Sequence, residues 1–463
     1  MVFSSIPFLF FFFPVCFGLY YMVPKRWKNL ILLIVSLLFY AWGEPIYIVL
    51  LLFSSLVDYF HGRMIEKYHS RPFLKRCFLI SSIVINLGLL GFFKYSDLLL
   101  QSFNQLFGSS LPLLGIGLPI GISFFTFQTM SYSIDVYRGD VPAEKNFLTF
   151  MAYVSMFPQL IAGPIVRYET VSKELKERDI TISNFSTGFG RFLEGLFKKV
   201  LLANTIGLLW QTISTLPINE MTIVTSWLGL IAFAFQIYFD FSGYSDMAIG
   251  MGKMLGFHYL ENFNYPYIAS SITDFWRRWH ISLSSWFRDY VYIPLGGSRG
   301  GTWKTIHNLL LVWMLTGLWH GAAWNFLLWG LYFGILLILE KFIFRSLLKK
   351  LPSFFQHLYA LFFILIGWLL FAFDDFTLLQ QYACHLIQGN FINQTTLFLL
   401  SNYGILLFFG FLFSTPIVKK GKEKLEQFSL FPPFFGIIEV LLFLLVVVYL
   451  VSDTYNPFLY FRF

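Results

Sequence analysis

An all-α polytopic membrane protein is the fold class this sequence predicts, and three observations carry the prediction. Of 463 residues, 57% are hydrophobic and only 13% are charged, whereas a soluble domain carries about 25% charged residues. Phe alone contributes 59 residues. Continuous apolar runs, such as Phe8 to Phe13 and Leu441 to Leu450, recur at intervals suited to repeated bilayer crossings. They lack the strict alternation of a membrane β-barrel.

Taken in order, the apolar runs predict spans at roughly 6–23, 29–42, 45–60, 77–94, 113–137, 147–165, 187–210, 222–250, 306–319, 321–340, 354–373, 402–417 and 434–451. The first is expected to be a retained span, not a cleaved signal, because no Lys or Arg precedes it and Lys25 follows it. A crossing helix needs about 20 residues, so 29–42 and 306–319 must be tilted, re-entrant or extended by their flanks. No internal repeat or soluble domain is evident, and the whole chain, 1–463, is expected to form one integral membrane domain.

Charge sets the expected topology. Lys25, Arg26 and Lys28 follow the first run, and Arg63, Lys67, Arg71, Lys75 and Arg76 follow the third, so both loops should be cytoplasmic. The same rule places inside the loops carrying Lys253 to Lys304, Lys341 to Lys350 and Lys419 to Lys424, while Asp374 and Asp375 fall outside. The N-terminus and the segment Ser452 to Phe463 are then external. Because the basic residues sit in short loops beside apolar runs, the net charge of +8 reflects topology and not nucleic-acid binding. Cys16, Cys77 and Cys384 lie far apart with no CxxC pair, so they are expected to pack and not to bind metal.

Chemistry concentrates between about 236 and 340. The stretch from about 251 to 305 is poor in span character and holds Asp274, Trp276, Arg277, Arg278, Trp279 and His280, then Trp286, Arg288, Asp289, Tyr290 and Tyr292. At helical spacing Asp274 and Arg278, with neighbouring His280, would line one polar surface, and the tryptophans would anchor the segment at the cytoplasmic boundary. After a short apolar run come Thr316, Gly317, Leu318, Trp319, His320 and Gly321. Fourteen helical residues from 306 rise only about 21 Å, less than the hydrocarbon core, which places His320 within the membrane's depth. An ionisable side chain there is costly and marks a functional candidate, against the alternative of a neutral imidazole satisfied by a neighbouring helix. Gly317 and Gly321 permit close approach, and two histidines would supply a general base and an orienting or electrophilic partner.

Two other polar stretches have both a structural and a functional reading. Asp240, Ser242, Gly243, Tyr244 and Asp246, in FDFSGYSDMA, would either pack helices or line the site. Gln159, Gly163, Pro164 and Arg167, in PQLIAGPIVRY, mark a broken helix end of the kind that accompanies a cavity. His61, His69, His258, His307, His357 and His385 lie outside the rich region and are expected to be structural or solvent-facing.

Together PQLIAGPIVRY, FDFSGYSDMAIG, ENFNYPY, DFWRRWHISLSSWFRDYVYIPLGG and LTGLWHGAAWNFLLWG stand in an order that resembles the bacterial membrane-bound O-acyltransferases. Within that family the chain looks like the alginate O-acetyltransferase branch, through its opening MVFSSIPFLFFF, its ending YNPFLYFRF and the segment YIPLGGSRGG. The resemblance implies a ring of tilted and re-entrant helices around a central tunnel, joining a cytoplasmic donor site to an external acceptor site. It implies catalytic roles for His320, in the WHG motif, and His280, closing the RWH motif. It further implies acetyl-CoA as acyl donor, no bound cofactor or metal, and O-acetylation of an extracytoplasmic polysaccharide with a secreted or periplasmic esterase-like partner.

On this reading His320 removes the acceptor proton while His280 and nearby donors steady the oxyanion; an acyl-histidine relay is the alternative. Asp274, Arg277 and Arg278 would shape the donor mouth, where positive charge attracts the phosphates of coenzyme A, unless they form only an ion-paired interfacial helix. The competing functions are D-alanyl transfer towards teichoic acid, proton- or ion-coupled transport through Asp240, Asp246 and His320, and a non-catalytic membrane scaffold. Transporters show paired repeats with matching broken helices, which this sequence lacks.

Overall fold

The computed structural model describes residues 2–425, 427–428, 431–452 and 458–459, and every regular element among them is helical. Of the segment 452–463 predicted to be external, 453–457 and 460–463 lie outside the described residues.

The helices named below are α1 (Phe8–Met22), α2 (Lys28–Gly43), α3 (Ile48–Lys67), α4 (Pro72–Phe107), α5 (Ile122–Arg138) and α6 (Phe147–Ser155). Next, α7 (Ile182–Phe197) continues through a π-helical turn, Lys198–Asn204, into α8 (Thr205–Ser214). Then come α9 (Ile223–Met254), the short α10 (Ile272–Arg278) and α11 (Ile281–Phe287), α12 (Thr302–His320), α13 (Trp324–Lys350) and α14 (Ser353–Ala372). The chain continues with α15 (Phe376–His385), α16 (Gln394–Phe413), α17 (Ile417–Leu425) and α18 (Phe431–Ser452).

Seven of these helices, α3, α4, α9, α13, α14, α16 and α18, are long and apolar enough to cross a bilayer among the described residues. The protein is a multi-pass membrane protein. Several predicted spans change form. The run at 77–94 lies inside a 36-residue helix that begins at Pro72, where the missing proline N–H is no loss in the first helical turn. The run at 113–137 does not become helical until Ile122, and 147–165 leaves its helix after Ser155, well before Gly163 and Pro164, which lie in irregular chain beyond the short helix Phe157–Leu160. Most consequential here, 306–319 is the core of a 19-residue helix, α12. At 1.5 Å per residue that helix rises about 28 Å, so the shortness used to place His320 at depth does not hold; the polar flank Thr302, Lys304 and Thr305 is helical too.

The described chain divides into two compact units, 1–192 with 244–260, and 193–243 with 261–463. In the first, α3, α4 and α5 bury a polar network. Asp58 accepts hydrogen bonds from Ser82 Oγ, Ser133 Oγ at 2.8 Å and Asn86 Nδ2 at 2.7 Å. Asn86 Oδ1 in turn accepts from Ser54 and Thr129. In an apolar solvent such bonds replace the missing hydrophobic force between helices. The same unit holds Asp246, bonded to Arg191 at 2.7 Å.

In the second unit α12 and α13 pack with backbones nearly touching. A methyl group added at Gly317 would strike the Phe326 carbonyl, and one at Gly330 would strike that of Trp313. One added at Gly321 would meet the Phe326 ring. The glycines around His320 are therefore packing residues that hold the α12–α13 hairpin closed. At the other end of the hairpin, Lys341 Nζ donates to Ser298 Oγ at 2.6 Å. The basic end of α13 and the loop before α12 thus share one end of the pair, as the charge pattern required.

Candidate active site

The site is built from the second unit, where α10 and α11 penetrate the helices. Glu340, buried in the π-helical turn within α13, accepts the backbone N–H groups of Ile272 at 2.6 Å and Thr273 at 2.9 Å, and the Thr273 hydroxyl. A carboxylate at the first turn satisfies donors that have no intrahelical partner and complements the local dipole. It fixes where α10 begins. The helix ends at Arg278, and Trp279 is extended.

His280 then adopts a left-handed backbone, φ 44° and ψ 55°, before α11 starts at Ile281. Few non-glycine residues take this conformation, and it costs on the order of 1–3 kcal/mol where surroundings enforce it. The expected single polar face through Asp274, Arg278 and His280 therefore does not form, because the helix breaks between Arg278 and His280. Arg278 Nε instead donates to Asp274 Oδ1 at 2.9 Å, and both side chains are partly exposed. Arg277 is exposed. The tryptophans are not boundary anchors either: Trp276, Trp279 and Trp286 are buried. Their large rings fill the unit's core, where Trp276 meets Trp313 at 4.5 Å and Trp279 meets Trp368 at 4.8 Å between ring centroids.

The break delivers His280 to the far end of α12. Its ring lies 5.9 Å from that of Trp319 and edge-on to Phe241 at 4.7 Å. His320, the last residue of α12, lies 5.2 Å from Trp319, 4.9 Å from Trp329 and 5.6 Å from Phe371. Trp319 thus contacts both imidazoles, and both are almost wholly buried. The two histidines singled out in the sequence converge across 40 positions of chain, from 280 to 320.

Asn262 was not singled out, although ENFNYPY contains it. Its backbone carbonyl accepts the Ile281 N–H at 2.9 Å. Its side-chain oxygen accepts the Ser282 N–H at 3.2 Å and the Ser282 hydroxyl at 2.9 Å, and faces His280 Nδ1 at 3.2 Å. Asn262 therefore caps α11 from outside the helix, a task that His280, at the cap position itself, does not perform. The only sequence signal was an Asn between Glu261 and Phe263 in a Pro-containing stretch, which reads equally as a turn.

The other polar stretch resolves as helix packing. Lys199, from the π-helical turn after α7, is bonded to Asp240 at 2.6 Å, with both side chains 3% exposed. The Leu459 N–H donates to the second Asp240 oxygen at 2.8 Å. Asp240 and Asp246 thus serve two separate ion pairs, one in each unit. Gln159, whose amide donates to the Tyr153 carbonyl at 2.8 Å, and Arg167 belong to the first unit.

Comparison with known proteins identifies the family. Residues 140–380 match the model of the membrane-bound O-acyltransferase family, a span that includes Asn262, His280 and His320. The chain is 44% identical over 379 residues to a probable alginate O-acetylase of Pseudomonas aeruginosa, covering 81% of this chain and 72% of that protein. It is 35% identical over 406 residues to a peptidoglycan O-acetyltransferase of Helicobacter pylori, covering 80% and 77%. A teichoic acid D-alanyltransferase of Bacillus subtilis is 30% identical over 253 residues, covering 50% of this chain and 62% of that one. An all-helical multi-pass chain, matched over these lengths, is an O-acyltransferase and belongs to the membrane-bound O-acyltransferase family, in its alginate O-acetyltransferase-like branch.

Proposed function

We propose that this enzyme transfers an acetyl group from cytoplasmic acetyl-CoA to a hydroxyl of an extracytoplasmic cell-envelope polysaccharide. The observation that carries the reading is the convergence of His280 and His320 on Trp319 in a buried aromatic setting, inside the segment that matches the family. The relatives that cover four-fifths of this chain are named for acetyl transfer to alginate and to peptidoglycan. The D-alanyl relative covers only half of it, so acetyl is favoured over D-alanyl.

A thioester carbonyl is reactive already, and the hydroxyl that attacks it is not. His320 takes the hydroxyl proton as the new C–O bond forms. Collapse of the adduct breaks the C–S bond, and the resulting imidazolium returns the proton to the departing thiolate. Products are the acetyl ester and free coenzyme A, with His320 neutral again. His280 is the second imidazole of the site, and in its protonated form it steadies the charge that develops at the carbonyl oxygen. Removal of water by the surrounding Trp and Phe rings strengthens both interactions.

Arg277 is the accessible cation of the donor mouth, because Arg278 is engaged by Asp274. It meets the coenzyme A phosphates. The attacking hydroxyl belongs either to the polymer itself or to a secreted, esterase-like partner that passes the acetyl group on to it. The N-terminus and the Asp374–Asp375 turn face outwards.

The test is acetyl-CoA turnover by purified protein in liposomes, following both hydrolysis and transfer to supplied glycan or partner. His320→Ala is expected to lower turnover on the order of 10²–10⁴-fold while remaining folded. Equal turnover in both proteins would refute the role of His320.

A further inference from the structure

We infer that Asn262 is a positioning residue that holds the proton of neutral His280 on Nδ1 and so makes Nε2 its reacting nitrogen. This deepens the reading above by assigning a chemical form to one of its two histidines.

One neighbour of the Asn262 amide is a donor of fixed direction. The Ser282 backbone N–H can only donate, and the Asn262 amide atom 3.2 Å from it must therefore be the oxygen. This fixes the amide's orientation independently of the histidine. His280 Nδ1 faces the same oxygen at 3.2 Å. A lone pair on Nδ1 would point at the oxygen's lone pairs, whereas an N–H there makes a hydrogen bond. The Ser282 hydroxyl, 3.5 Å from Nδ1, is already 2.9 Å from the Asn262 oxygen and does not compete well as a donor to the ring. Protonation at Nδ1 leaves the neutral ring's lone pair on Nε2.

Backbone geometry explains why Asn262 can do this. His280 stands at the cap position of α11 with a positive φ, and the cap hydrogen bonds come from Asn262 instead. One asparagine thus anchors both the helix start and the imidazole on the residue before it. Asn262 is fully buried and Ser282 nearly so, so both contacts lie away from bulk water.

The chemical consequence is specific. Neutral His280 accepts a proton or hydrogen bond through Nε2 and cannot donate one there. Any stabilisation it gives to an oxyanion requires the imidazolium.

The tautomer is read directly by solid-state NMR of protein carrying ¹⁵N-histidine in lipid bilayers at alkaline pH. The His280 signals are identified as those lost in His280→Gln. Wild type is expected to show His280 protonated at Nδ1, and an Nε2-protonated ring would overturn the proposal without any variant of Asn262. Asn262→Asp, which keeps an acceptor oxygen, should retain the tautomer. Asn262→Ala should shift it, and an unchanged tautomer in folded Asn262→Ala would also overturn it. In turnover assays Asn262→Ala should lower kcat on the order of tenfold to a hundredfold with little change in KM for acetyl-CoA, and Asn262→Asp should recover much of it. The tautomer result stands whether or not acetyl-CoA proves to be the donor, so failure here and failure of the proposed reaction are separately visible.

Discussion

At the scale of single residues, the site rests on side chains that act through buried geometry and not through sequence neighbourhood. His320 was legible because an ionisable group beside an apolar run has few structural uses. Asn262 was not, because its importance lies in a contact with Ser282 and His280 that no local pattern encodes. Lys199 shows the same limit: in the sequence it is one of two lysines inside the predicted span 187–210, with no sign of its partner, yet it neutralises Asp240 in the interior. Removing one partner of such a pair leaves an isolated buried charge, at about 3–5 kcal/mol. Lys199→Ala should therefore lower the thermal midpoint of the detergent-solubilised protein sharply, and Lys199→Leu combined with Asp240→Leu should recover part of the loss. If Lys199→Ala alone melts like wild type, the pair is not structural.

At the scale of elements, the decisive feature is the close approach of α12 and α13. Gly317→Leu should cost about 1–3 kcal/mol through overpacking, because the neighbouring atom is the backbone of Phe326 and cannot rotate away. Gly18→Leu, with no atom within 4 Å of the added Cβ, is the matched control and should not lower the midpoint. Equal midpoints would mean that the hairpin is looser than the structure shows. The spans illustrate how hydropathy misjudges such elements. It shortened α12, whose first turns are polar, and it lengthened the run at 147–165, whose helix ends at Ser155 because Met156 leaves the helical backbone. It also could not foresee that Trp276 and Trp279 are core residues, since an aromatic at a boundary and an aromatic in a core read alike in sequence.

At the scale of the whole molecule, the positive-inside pattern makes a prediction independent of catalysis. In a protein freed of its three cysteines, Ser70→Cys should react with an impermeant maleimide only after the membrane is opened, whereas Asp374→Cys should react in intact cells. Both positions are exposed, so the opposite pattern would invert the proposed topology and with it the side of the donor. Membrane class and the family followed from the sequence alone, which also named the two histidines as candidates. Apolar content, charge asymmetry and contiguous motifs are local properties, and a bilayer imposes helices on any chain that carries them. Only the tertiary structure decided that His280 and His320 meet at Trp319, that Asp240 and Asp246 serve ion pairs, and that Asn262 addresses His280. Each of these depends on which helix faces lie together, and that is set by packing between segments far apart in the chain.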